Sequence, residues 1–420
     1  RELHLDAFLV ALSDAFALSR ALDSGEAGRG SVEAQWVAPS SFTRVTRKFW
    51  LRPGDVTRFK AAVIPHLPVL IYGDRTRLLD LEELREGADD QACVALPLPG
   101  GAPAPLRRVS DAALVTSVYL DSPPELPLYH ARLARDDRAI ALRVRWYGDE
   151  PPGPQSRVFM ERKVHREAWT GALSSKDRAP LLYAQVADLL SGQGVDPTLA
   201  ARAKKEGRKK KRLLSFSARV LRNVAFPEEQ ARGSPFQPAA APPQLEPSDF
   251  LREVATLVQQ TRARPLLRTV YRRTAFQEPT TAAVRLSMDV DLHMVREVGA
   301  AKRPGDWARD VAGAPLAPGD VTVVPYVVVE VKLQQAPPRW LVDLVASGML
   351  LPVPKFSKYL HGTAALFQSS LRAAPHWFLP CPASPGALLP ASWEELEEGA
   401  AEILEHPALH LFPPREGGGP

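Results

Sequence analysis

Between Ile140 and Glu167, two segments of alternating character flank a Pro/Gly-rich turn: Ile140-Ala-Leu-Arg-Val-Arg-Trp-Tyr147 and Arg157-Val-Phe-Met-Glu-Arg-Lys-Val-His165. A β-strand sends successive side chains to opposite faces. Arg143 and Arg145 therefore share one face, and Leu142, Val144 and Trp146 share the other. In the second segment Glu161, Lys163 and His165 oppose Val158, Met160 and Val164, with Arg162 the exception. A single half-exposed hairpin would look like this, so the constraint on the fold comes from recurrence.

The same division returns along the chain. Phe42 to Leu51 places Arg44, Thr46 and Lys48 together, and Val115 to Asp121 reads as a further strand. Leu267 to Phe276 aligns Thr269, Tyr271 and Arg273. Ala283 to Val290 sets Arg285, Ser287 and Asp289 against Val284, Leu286, Met288 and Val290, and Tyr326 to Leu333 sets Glu330 and Lys332 against Val329, Val331 and Leu333. An open sheet facing water carries a mixture of Lys, Glu, Thr and Gln on its wet side, whereas this face is mostly Arg and Lys. If helices cover the apolar faces, the strands can close into an antiparallel barrel with a polar, cationic lumen, because closure removes the edges and turns the ionic side inward. The expected class is α+β, with helices packed on the outside.

Helical periodicity fits residues 3 to 22, Pro53 to about His66, Lys176 to Leu190, Ser248 to Gln260, Pro338 to Ser347, a segment ending near Phe367, and an acidic stretch from Ser392 to Leu404. Proline, at 41 of 420 residues, is about twice its usual ~5%. It concentrates between the periodic segments, as at 226–248, which reads as a surface insertion. The chain divides into an N-terminal helical segment (1–38) trailing a preceding element, a tunnel domain (39–370) and a Pro-rich C-terminal segment (371–420). Cys93 and Cys381 stand alone, which indicates neither a disulfide framework nor a thiolate metal site. No run reaches the ~18–20 apolar residues of a membrane-spanning helix, so the piece itself reads as soluble. The basic run Lys204 to Arg212 fits a solvated helix end or an anion-facing surface; a nucleic-acid role resting on that run lacks a stacking platform within it.

If the cationic faces converge, Lys48, Arg143, Arg145, Lys163, Arg273, Arg285 and Lys332 crowd one cavity. Each like-charge pair a few Å apart costs about 1–4 kcal/mol at effective dielectrics of about 20 to 80, so the arrangement implies a polyanion. Arg forks match phosphate oxygens and Lys supplies point charges. Glu330, with Asp289 or Glu161 nearby, offers hard oxygen ligands for Mg2+ or Mn2+, although Asp289 and Glu161 read first as ion-pair partners of the cations and only second as metal ligands. Removing Arg143 or Lys163 is then expected to leave the fold intact, since it relieves repulsion.

At these residues the chain resembles the catalytic domain of the vacuolar transporter chaperone polyphosphate polymerases, in the triphosphate tunnel metalloenzyme superfamily. The similar stretches are Thr46 to Trp50, Thr116 to Asp121, Leu142 to Gly148, Glu161 to Gly171, Leu267 to Phe276, Val329 to Leu333 and Val353 to Gly362. The resemblance implies a closed tunnel that grips the triphosphate of ATP, transfers its terminal phosphoryl group to inorganic polyphosphate and releases ADP, with Mn2+ or Mg2+ as cofactor. Carried over by position, catalytic cations fall on Lys48, Arg143, Arg145, Lys163, Arg273, Arg285 and Lys358. Substrate contacts fall on His165, Tyr271, Lys332, Lys355 and Ser357, and the metal carboxylate on Glu330. Tyr271 and His165 also have plain readings, as a packing ring and a hydrogen-bonded structural group. Many tunnel enzymes open with Glu-x-Glu-x-Lys. Here Arg44-Val-Thr-Arg-Lys48 keeps only the lysine, a loss shared by the polymerase branch. The resemblance also implies a phosphate-sensing domain, transmembrane subunits and a place on the cytosolic face of a vacuolar or acidocalcisome membrane. A tunnel phosphohydrolase and a non-catalytic polyphosphate-binding paralogue are the alternatives.

Overall fold

Burial in the strands is not confined to one face: it runs unbroken from Leu142 to Trp146 and from Val115 to Asp121. In the computed structural model, which describes residues 6–23, 45–70, 76–78, 107–109, 111–166, 174–199, 245–277, 283–299, 306–309, 316–380 and 388–390, the repeated segments form one antiparallel sheet. Its strands are β1 (Val45–Leu51), β4 (Ala112–Asp121), β5 (Ile140–Tyr147), β6 (Arg157–Val164), β7 (Ser175–Leu182), β8 (Arg264–Gln277), β9 (Val284–Arg296), β10 (Val321–Val323), β11 (Val327–Leu333) and β12 (Leu350–Pro352). Two small hairpins lie apart, β2 (Thr76–Leu78) with β3 (Arg107–Val109) and β13 (Phe378–Pro380) with β14 (Leu388–Pro390). The Cys residues, the basic run, the 226–244 part of the Pro-rich insertion and the acidic helix at 392–404 lie outside the described residues.

The sheet order is β12-β1-β11-β9-β8-β4-β5-β6-β7, with β10 added to β9. This corrects the expectation of a closed barrel: among the described residues the two edges share no ladder. Each edge carries a residue that cannot donate to one, Pro180 in β7 and Pro352 in β12, and proline belongs on edges for that reason. A second correction concerns Lys176 to Leu190. Its first part is β7, and only Gln185–Leu190 is helical. Pro180 would sit inside that helix, lacking an N–H and clashing with the preceding turn.

Apolar faces point outward and are covered by helices. Val118, Leu142, Val144, Trp146, Val158, Met160 and Leu181 pack with Phe250, Leu251 and Val254 of the helix Pro247–Thr261 and with Val186 and Leu189 of Gln185–Leu190. Phe49, Leu51, Leu286, Met288, Val329 and Val331 pack with Leu9 of Asp6–Asp23, Phe59 and Val63 of Val56–Val63, and Leu341 and Leu344 of Arg339–Ala346. Burying one such side chain stabilises by roughly 1.5–3 kcal/mol, so these two layers fix which face remains for the charges.

The opposite face is concave. Charges on β6 and β1, at distant places in the sheet order, act on each other: Lys163 feels Lys48 and Glu330. One part of the hollow is filled by the helix Lys358–Leu366. Its Tyr359 ring stacks on Tyr119 at 5.1 Å and 15°, and its hydroxyl donates to Asp121 Oδ2 at 2.6 Å. Gly362 permits the approach, since a Cβ there would lie 2.6 Å from Leu267 Cδ2 and 2.7 Å from the Met294 sulfur. The remainder of the concave surface is ionic.

Candidate functional site

Register brings the charged side chains of the hollow into contact. Arg143 stands opposite Glu161 across β5 and β6 and opposite Tyr119 across β5 and β4. Its Nε donates to Glu161 Oε2 at 2.7 Å, its Nη1 donates to the Tyr119 hydroxyl at 3.0 Å, and its Nη2 lies 2.5 Å from Glu161 Oε2. Arg145 donates to Ser117 Oγ at 2.9 Å and to the Tyr271 hydroxyl at 3.2 Å. Burial alone would raise the pKa of Glu161, but Arg143, Arg145 and Lys176 hold it far below the usual carboxylate range.

A second knot joins β8, β9 and the inner helix. Arg273 donates to both oxygens of Asp289, from Nε at 2.5 Å and from Nη2 at 2.7 Å, a bidentate pair. The Lys358 ammonium lies 2.5 Å from Asp289 Oδ2 and 4.5 Å from the Tyr271 ring centroid, within cation–π range. Tyr271 thus does both things its sequence allowed: the ring is buried, and the hydroxyl faces the cations. Asp289 and Glu161 are engaged by guanidinium and ammonium groups on both oxygens, which makes them ion-pair partners of the site.

Glu330 is different. It lies opposite Lys48 and Ser287 in register, is partly accessible, and has Lys332 Nζ at 3.1 Å. Burial opposes its charge, yet Lys332, Lys48, Arg273 and Lys163 together keep it far below the ordinary carboxylate range. Lys48 donates to the Phe356 carbonyl; burial lowers its pKa, with Glu330 partly offsetting the effect. Lys163 is exposed by area and has no carboxylate within salt-bridge distance among the described residues. The Arg143 guanidinium first, then burial and Lys48, hold its ammonium well below the ordinary lysine value. A side chain reached by water yet penalised for burial is what a wetted concavity produces. Among the expected site residues, these contacts bring together Lys48, Arg143, Arg145, Lys163, Tyr271, Arg273, Glu330, Lys332 and Lys358.

The other expected residues sit as follows. Arg285 is half-buried opposite Lys332 in the β9 and β11 register. Ser357 caps the helix Lys358–Leu366, its Oγ accepting from Leu360 N at 3.4 Å. Lys355 is exposed on the turn before it, with φ 63°. His165 follows β6, with its backbone bonded to Ala139 and Arg138.

Three groups escaped the sequence reading. Lys176 Nζ lies 2.8 Å and Arg178 Nε 3.5 Å from Glu161 Oε1, extending the cationic face onto β7, and Tyr119 receives Arg143. The alternation Lys176-Asp-Arg178 ahead of Pro180 was the available signal for the first two. Among the described residues, cations outnumber carboxylates on this surface, and the neighbouring cations hold Glu161, Asp289 and Glu330 below the usual carboxylate range. Clustered guanidinium and ammonium groups of this kind have the charge and donor geometry that match phosphate oxygens. Glu330 is the residue here that could hold a divalent ion, with the Lys332 ammonium 3.1 Å away competing for the carboxylate. Mg2+ is commonly held by one or two carboxylates together with substrate phosphates, and Glu330 is the concave carboxylate with an accessible surface. Among the described residues no group of three or more His, Cys, Asp or Glu forms a site made of protein ligands alone.

Residues 43–367 match the family model described as the VTC domain. The chain is 32% identical over 347 residues to vacuolar transporter chaperone complex subunit 4 of Schizosaccharomyces pombe, covering 80% of this chain and 39% of that protein. It is 30% identical to subunit 4 of Trypanosoma cruzi, covering 83% and 37%, and 28% identical to subunit 2 of S. pombe, covering 80% and 40%. The chain therefore spans about two fifths of the length of these relatives. A solved structure, the PH1819 protein from Pyrococcus horikoshii OT3, aligns over 84% of this chain and 99% of its own at 7% identity with a TM-score of 0.24, too low to bear on the fold. On the family match, which takes in every strand of the large sheet, the chain belongs to the VTC domain family.

Proposed function

We propose that the chain is the catalytic part of a polyphosphate polymerase, an ATP–polyphosphate phosphotransferase. The observation that carries this reading is the concave face itself. Guanidinium and ammonium groups from β1, β5, β6, β8, β11 and the inner helix converge there, with one accessible, ionised carboxylate, Glu330, among them.

Phosphoryl transfer requires alignment and charge neutralisation more than covalent help. Arg143, Arg145 and Lys163 orient the donor triphosphate, while Arg273, Lys332 and Lys358 hold the neighbouring phosphates. The acceptor's terminal phosphate oxygen attacks the γ-phosphorus in line, the bond from that phosphorus to the bridging oxygen breaks, and ADP leaves with the electron pair. A terminal phosphate is largely ionised near neutral pH, so no protein base is required. Mn2+ or Mg2+, held by Glu330 and the substrate, would neutralise charge on the phosphate oxygens.

The relatives are named as subunits of a vacuolar transporter chaperone complex, which supports a vacuolar setting and partner subunits. The reading places this part on the cytosolic face of a vacuolar or acidocalcisome membrane, beside a phosphate-sensing domain and transmembrane subunits. Among the described residues no helix is long and apolar enough to cross a membrane. Because subunit 2 proteins also match, a polyphosphate-binding subunit without activity is the second reading. Gel analysis of products after incubation with ATP and Mn2+ separates the possibilities. A polymerase yields long polymer and ADP, a hydrolase yields orthophosphate and ADP with no long polymer, and a binding subunit yields neither polymer nor orthophosphate.

A further inference from the structure

The cationic face ends in aromatic rings that the phosphate chemistry leaves unused. Tyr147 follows Arg145 by two residues on the same side of β5, so the two side chains share a face and come close enough to interact. Its neighbour Trp146 is buried in the outer core, whereas Tyr147 is 49% exposed. Phe159, opposite Arg145 in register, meets Tyr147 edge to face, with centroids 6.1 Å apart and planes at 71°. The Arg178 guanidinium lies 3.6 Å from the Phe159 centroid and 5.6 Å from that of Tyr147, and it donates to the Tyr147 hydroxyl at 3.3 Å. Arg157 approaches the Phe159 ring at 4.9 Å.

An exposed ring steadied by a guanidinium and continuous with phosphate-binding arginines suits one kind of ligand: a flat heteroaromatic group joined to phosphates. Ring faces and guanidinium planes stack on any nucleobase. We infer that Tyr147, Phe159 and Arg178 seat the nucleobase of a nucleoside triphosphate donor. The inference rests on the triphosphate reading above and adds that the donor is distinguished from a bare phosphate chain. With the Tyr147 hydroxyl already engaged by Arg178, the seat reads the flat face of the base rather than its edge, so adenine and guanine are both accepted.

The test compares two ligands on the whole 420-residue chain, by calorimetric titration with EDTA present to prevent turnover. Tyr147→Ala should weaken ATP binding by about 5- to 150-fold, the range for loss of one base stack, and leave inorganic tripolyphosphate binding unchanged. Tyr147→Phe keeps the ring and should keep the preference. If affinity for both ligands falls together in Tyr147→Ala, or neither changes, the seat is refuted. If the unsubstituted chain binds neither ligand, the triphosphate reading itself falls and takes the seat with it.

Discussion

Glu161 is buried without accessible surface directly against Arg143, its Oε2 2.5 Å from the guanidinium Nη2. This pairing changes the expectation that Arg143 can be removed without harm to the fold. The arginine neutralises a carboxylate that has no access to water. Arg143→Ala should destabilise the protein by about 3 kcal/mol, the low end for breaking a buried pair, because Lys176 and Arg178 remain on the other oxygen. Urea unfolding of Arg143→Ala, Glu161→Gln and the double variant measures the coupling, and purely additive effects would show that the pair is not coupled.

Lys163 leads to a proton-linkage prediction. Its pKa is well below the ordinary value because Arg143, burial and Lys48 disfavour the charge. A bound triphosphate favours the charge and raises that pKa. Between the free and bound pKa values, binding should therefore take up a proton. Titrating tripolyphosphate in buffers of different ionisation enthalpy reads the uptake, which should diminish in Lys163→Met. Equal uptake in both proteins would assign the proton elsewhere.

Glu330→Gln keeps the shape of the side chain and removes its charge. Lys332 at 3.1 Å loses this one carboxylate charge, so the variant should hold polyanion at least as well while Mn2+ activation of polymer synthesis falls by tenfold or more. Unchanged Mn2+ dependence would take Glu330 out of the metal site.

Gly362 sits where the inner helix touches β8 and β9. A methyl group there meets the ends of Leu267 and Met294, which can move at some cost, so Gly362→Ala should lose about 1–3 kcal/mol as an overpacked contact. A melting temperature equal to that of the parent would mean that the helix can shift away.

Acid should loosen the same region. His361 is buried, and burial pushes its pKa down to about 3. Between about 6.5 and 3 the unfolded chain binds a proton there that the folded chain does not, so stability falls as pH drops through this window, by up to about 1.4 kcal/mol per pH unit. His361→Leu should flatten that slope in denaturant titrations at pH 4 to 7. An unaltered slope would place the acid sensitivity in other groups.

Much of this was legible before any coordinates. The period-two alternation in Ile140 to Tyr147 located β5 to the residue, because arginine and branched or aromatic apolar residues trade places without interruption. β7 was misread because Ala179 to Leu190 is nearly continuous apolar sequence, and only Pro180 argued against a helix. The partners of the cations were not legible. Which carboxylate meets which guanidinium depends on register, and Asp289 meets Arg273 only because β8 is irregular between Val270 and Arg272. Edge pairing depends on three-dimensional curvature, which alternation does not encode.

If the concave cations hold a string of phosphates, bound tripolyphosphate covers their lysines. Lysine acetylation read by mass spectrometry, with and without tripolyphosphate, reports that coverage. Tripolyphosphate should protect Lys163 and Lys332, whereas sulfate at the same ionic strength should not. Equal modification of both lysines under all conditions would overturn the phosphate reading.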